Sequence, residues 1–90
     1  MADLTDRRPV HSMQDVGTAI RRERRRQGLT LADAAGLCHV GTRFLSELEN
    51  GKPTARCDRV LHVLRMLGLR LELVAPATAG DPAVEEEPQT

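Results

Sequence analysis

The sequence predicts a mainly α domain of four to five helices followed by one short C-terminal β-strand that pairs across a dimer. Three observations point there. Apolar residues recur at helical spacing in segments closed by Gly28, by Gly51-Lys52-Pro53 and by Gly68. Residues 69 to 74 instead alternate apolar and charged side chains, the period of a half-buried strand. With 90 residues, one phenylalanine and no Trp or Tyr, the chain supports one small aliphatic core, and a core so thin favours oligomerisation.

Residues 1 to 12 lack an apolar period and contain Pro9, so they read as a flexible arm. Arg7 and Arg8 there are either phosphate contacts or part of a solvated leader. Residues 13 to 27 form the first helix, with Val16 and Ile20 four apart, Ala19 beside them and Gly28 as the stop. Its second half, Arg21-Arg22-Glu23-Arg24-Arg25-Arg26, has the pattern of a solvated basic face. Arg24 departs from that pattern. Positions 16, 20 and 24 follow one another down one side, so Arg24 projects toward the core and requires an anion.

Thr30 and Asp33 form a capping pair ahead of a short second helix, residues 31 to 37, in which Ala34, Ala35 and Gly36 leave room for a close helix crossing. Cys38-His39-Val40-Gly41 is the connecting turn. A third helix starts at Thr42 with Gly41 as N-cap and ends at Asn50; Val40 and Leu45 stand at the positions of a hydrophobic staple. Phe44, Leu45 and Leu48 face inward, and Thr42, Arg43, Ser46, Glu47 and Asn50 face outward. Glu49, four residues after Leu45, lies on the inner side and is the expected counterion of Arg24.

Thr54 is the expected cap of a fourth helix reaching Leu67, with Val60, Leu61, Val63, Leu64 and Leu67 as its apolar stripe. The strand follows. A lone strand leaves its backbone groups unpaired, so its expected partner is the same strand of a second copy. In an antiparallel pair with the two-fold axis at Leu71, Arg70 stands opposite the mate's Glu72 and Leu69 opposite the mate's Leu73. The domain is thus expected over residues 13 to 74. Residues 75 to 90, with three prolines and four carboxylates, read as a disordered acidic tail.

Thirteen Lys and Arg balance thirteen Asp and Glu, and a net charge of zero argues at first against a polyanionic partner. The distribution reverses that inference. Residues 1 to 74 hold all thirteen cations and nine carboxylates, a net of +4, while the remaining four carboxylates lie in the tail. No apolar run approaches the ~20 residues of a membrane span and no leader pattern opens the chain, so a cytoplasmic, nucleoid-associated protein without membrane contact is expected. Cys38 and Cys57 are expected to be reduced core residues. With His39 and His62 they show no C-x-x-C or H-x-x-x-H spacing, and Cys57 and His62 diverge by about 140° on one helix, which argues against a metal site. No phosphate loop, nucleophile elbow or acid–base pair is present, so neither enzyme activity nor a cofactor is expected.

Two short helices joined by a tight turn and braced on both sides make a helix-turn-helix. The stretch LTLADAAGLCHVGTRFLSELENGKP resembles the Xre/Cro/CI-type helix-turn-helix family. With GTAIRRERRRQGLT ahead and CDRVLHVLRMLGLRLELV behind, residues 13 to 74 resemble its HipB-type antitoxin and transcriptional-regulator branch.

That resemblance implies a lambda-repressor-like fold whose third helix enters the major groove with its first residues at the base edges. Gly41, Thr42, Arg43 and Ser46 are then the candidate base readers, and Glu47 adds to the set or restricts it. Arg43 suits the O6 and N7 edge of guanine; a solvated or phosphate-bound arginine is the alternative. Phosphate contacts are expected from the Gly41 backbone N–H, Asn50, Lys52 and some of Arg21, Arg22, Arg25 and Arg26. Arg24 and Glu49 match the family's buried ion pair. Two positions depart from the family pattern. Leu31 stands where a phosphate-holding Gln is common, and His39 where Gly is common, which predicts a lost contact and a strained or slightly remodelled turn.

The function so implied is a homodimeric repressor on a double-stranded DNA inverted repeat, autoregulating its operon as the antitoxin of a HipA-type kinase toxin. A toxin-sequestering module with secondary DNA binding and a stand-alone regulator are the alternatives.

Overall fold

Ser12 starts the first helix: its backbone is extended and its Oγ accepts the Asp15 N–H at 3.2 Å, while the Asp15 carboxylate accepts the His11 N–H at 2.8 Å. The structure, a computed structural model, describes residues 6–77. Four helices follow in order, α1 (Met13–Arg26), α2 (Leu31–Cys38), α3 (Thr42–Glu49) and α4 (Cys57–Met66). The Thr30–Asp33 capping box is formed in both directions, at 3.0 Å and 3.3 Å.

One device closes all four. Just past each helix an N–H bonds back to a carbonyl five residues earlier: Leu29 to Arg24, Val40 to Ala35, Lys52 to Glu47 and Leu69 to Leu64, at 2.8–3.1 Å. The residue before each donor has a left-handed backbone. Three of these residues are glycines, and the fourth is His39, with φ 59° and ψ 42°. The turn between α2 and α3 therefore keeps the left-handed geometry instead of remodelling, at a cost of about 1 kcal/mol for a side chain other than glycine.

α1 and α2 both pack on α3, and α4 packs on α2. Ile20, Cys38, Leu45, Leu48, Val63 and Leu67 are fully buried at the centre. The tightest backbone approach is at Gly17, where a Cβ would stand against the Leu48 carbonyl and 2.5 Å from the Glu49 carbonyl oxygen. Gly36, expected at a helix crossing, instead faces open space; buried Ala34 and Ala35 alone make the slim side of α2.

Other expectations change in detail. α1 ends one residue earlier and α2 one residue later than anticipated. Thr54 does not cap α4. The chain first carries Ala55 against the core, and the helix begins from Arg56, which has no side-chain cap. Cys57 consequently opens the helix on the surface and is no core residue, whereas Cys38 is buried and burial pushes its thiol pKa up. Leu61 is 38% exposed and falls outside the apolar stripe.

The expected strand forms no ladder among the described residues. Residues 69–77 lie outside regular structure, with no second strand beside them among the described residues. Leu69 still packs against the core, but Leu73 is 96% exposed. The arm meets this segment: Arg7 Nε donates to Glu72 Oε1 at 3.2 Å. Residues 1–5 of the arm and residues 78–90 of the acidic tail lie outside the described residues. Among the described residues, no helix is long and apolar enough to cross a membrane.

Candidate nucleic-acid interface

α3 starts from Gly41, an N-cap without a side chain, so no side chain satisfies the first backbone N–H groups of the helix. Such an end attracts anions. Thr42 and Arg43 follow in the first turn and are exposed; Ser46 and Glu47, one turn on, are half-buried. These five candidate readers thus share one surface.

Charge on that surface is organised around Glu47. Its Oε2 accepts from Arg43 Nε at 3.3 Å and its Oε1 from Lys52 Nζ at 3.1 Å. Lys52, then Arg43, hold the Glu47 carboxyl below the usual carboxylate range.

The far end of α3 is anchored on α1. Glu49, 3% exposed, accepts Arg24 Nε at 2.6 Å and Arg24 Nη2 at 3.0 Å, while Arg24 Nη1 donates to the Leu29 carbonyl at 2.9 Å. The hydrogen bond to Glu49 raises the Arg24 pKa above its already high ordinary value. Arg21 joins the same carboxylate, Nε to Oε1 at 3.3 Å, and donates through Nη2 to Asn50 Oδ1 at 2.9 Å. Asn50 Nδ2 donates back to the Ser46 carbonyl at 2.9 Å. Arg21 and Asn50, both expected at phosphates, are therefore already hydrogen-bonded to each other. Sequence reasoning missed this role of Arg21, although its i, i+3 spacing from Arg24 is the signal that finds it.

The remaining arginines divide. Arg26 is bound to Glu23 at 2.6 Å and 3.0 Å. Arg22 and Arg25 are exposed and have no ion pair among the described residues. They line an open basic hollow of about 290 Å³ with Thr18 and Arg21. Two further contacts went unforeseen. The Arg59 guanidinium stacks over the Phe44 ring at 4.4 Å, and Gln27 Nε2 reaches the Leu67 carbonyl at 2.9 Å, tying the ends of α1 and α4.

Comparison with known proteins bears on the family and the fold. Residues 15–77 match the helix-turn-helix domain family. An uncharacterized HTH-type transcriptional regulator of Sinorhizobium fredii, y4mF, is 44% identical over 67 residues, which are 74% of this chain and 88% of that protein. Among solved structures, a HipB variant in its O2 20mer complex superposes with a TM-score of 0.70 at 20% identity, over 81% of this chain and all of that one. HipB in its O4 20mer complex gives 0.68 at 20% identity, over 79% and 99%. The last two establish likeness of fold. The family match over most of the chain and the 44% identical relative show that the chain belongs to the helix-turn-helix domain family of transcriptional regulators, which bind DNA and are not enzymes.

Proposed function

We propose that this chain is a sequence-specific repressor that binds an inverted repeat in its own promoter as a homodimer. One observation carries the reading: the start of α3 presents an uncapped helix end, Thr42 and a 91% exposed Arg43 on one open face, while Glu49 and Arg24 hold the helix's other end on α1. A rigid helix with exposed polar residues at its N-terminus is what major-groove reading requires. Arg22, Arg25 and the backbone N–H groups at Gly41 supply the surrounding phosphate contacts, and Lys52 joins them when it leaves Glu47. Neither a cofactor nor a metal enters this activity.

The dimer forms through residues 69 to 73. Leu71 and Leu73 are exposed on a segment that has no ladder partner among the described residues, and antiparallel pairing about Leu71 brings both against the mate's strand. Arg70 and the mate's Glu72 then face each other, and Glu72 exchanges Arg7 for that partner. Two reading helices related by a two-fold axis fit half-sites spaced by whole helical turns.

The finer reading is that the repressor is the antitoxin of a HipA-type kinase toxin. The likeness of fold to HipB supports it. Titration of the purified protein onto its promoter DNA and onto random duplex, between 50 and 200 mM salt, tests the repressor: a clear preference for the promoter and an affinity falling with salt are expected. Equal binding to both DNAs overturns it. Co-purification of a kinase-like protein encoded beside this gene tests the antitoxin; its absence leaves a stand-alone regulator.

A further inference from the structure

On a face built to meet a polyanion, Glu47 carries the wrong sign. It stands one turn after Arg43, and each of its oxygens holds a cation: Oε2 is 3.3 Å from Arg43 Nε and Oε1 is 3.1 Å from Lys52 Nζ. Lys52 lies beyond the end of α3, so this one carboxylate ties the first turn of the helix to the loop that follows it. Among the described residues neither cation has another carboxylate within salt-bridge distance. The carboxyl group titrates below its ordinary range, so it is ionised at neutral pH.

We propose that Glu47 is a specificity filter: it holds Arg43 and Lys52 in ion pairs away from the target, and on DNA it excludes base edges that offer only acceptors. The proposal rests on the repressor reading above. On random duplex, a phosphate must compete with Glu47 for each of the two cations, so both contribute less to indiscriminate binding. On the target, Arg43 turns to guanine O6 and N7, and the freed carboxylate needs a donor in exchange. In the major groove only the amino groups of cytosine and adenine supply one. Guanine or thymine opposite Glu47 leaves an ionised carboxylate against acceptors, a repulsive element that penalises wrong sequences without strengthening the right one. The filter therefore predicts cytosine or adenine on the strand that faces Glu47, at one position of each half-site beside the guanine taken by Arg43; the same pair reversed puts guanine or thymine there and is excluded.

The test is a binding selection from a randomised duplex library with the full chain and with Glu47→Gln, whose neutral amide both donates and accepts. Thermal melts run in parallel establish that both are folded. For the wild type we expect a consensus with the amino-bearing base. For Glu47→Gln we expect that position to become degenerate, affinity for random duplex to rise several-fold, and the slope of log K against log salt to steepen by about 0.9 to 1.8, the effect of one or two added phosphate contacts. An unchanged consensus with unchanged random-duplex affinity overturns the filter and leaves the repressor standing. A wild type that enriches no sequence overturns both.

Discussion

Arg24 and Glu49 meet as a two-pronged pair, Nε on Oε2 at 2.6 Å and Nη2 on Oε1 at 3.0 Å, with the carboxylate 3% exposed. Glu49 is the last residue of α3, so the pair sets where that helix ends against α1. Removing Glu49 strands Arg24, whereas removing Arg24 leaves Glu49 with Arg21. Glu49→Ala is expected to cost about 3–5 kcal/mol in urea unfolding, most of the stability of a domain this small. Replacing Arg24 and Glu49 together by Met and Leu should recover much of the loss, because no charge is then left buried. A loss below about 1 kcal/mol for Glu49→Ala would show that the pair does not hold the helices.

Gly17→Ala tests the closest approach in the core. In an isolated helix this change is favourable by about 1 kcal/mol. Here the added methyl meets the carbonyls of Leu48 and Glu49, which are backbone and cannot turn aside. Destabilisation by about 1–3 kcal/mol is expected, read as a lowered urea midpoint. An increase in stability would mean that α1 and α3 do not approach as described.

His39→Gly tests the turn of the helix-turn-helix. Glycine relieves the left-handed strain but adds freedom to the unfolded chain, and the two effects leave a net gain of about 0.5–1 kcal/mol. His39→Val should do the reverse, since a β-branched residue tolerates that backbone poorly. Thermal midpoints of the two variants are expected to lie on opposite sides of the wild type.

Reading and dimerisation should separate. Leu71→Lys places like charges across the proposed two-fold axis and is expected to give a monomer by light scattering, with DNA affinity falling through lost symmetry. Arg43→Ala should remain a dimer and lose about 1–3 kcal/mol of discrimination at one base pair. A Leu71→Lys protein that stays dimeric rules out pairing through residues 69 to 73.

Much of this site could be read in the sequence because its signals are local. The Thr30–Asp33 box and the Gly28 and Gly51 stops each depend on residues within five positions of one another, and all appear in the structure as expected. The Arg24–Glu49 pair spans 25 residues, yet it too was accessible, since two helical faces converge on it and buried charges require partners. Thr54 and Cys57 were misplaced for the opposite reason. Their surroundings depend on how far the link carries Ala55 onto the core before α4 can begin, a length that no local pattern encodes.

By itself, then, the chain's order of residues determined four helices, their stops, the turn between the second and third, and a basic domain joined to an acidic tail that a net charge of zero conceals. Those features follow from backbone geometry and spacing over one or two turns. Packing decided the rest: that Gly17 and not Gly36 admits a neighbouring backbone, that Arg21 is drawn to Glu49 and Asn50, and that Glu47 couples Arg43 to Lys52. Each of these depends on distances between surfaces whose placement is set by burial of the whole core, a sum over all helices that no single segment contains.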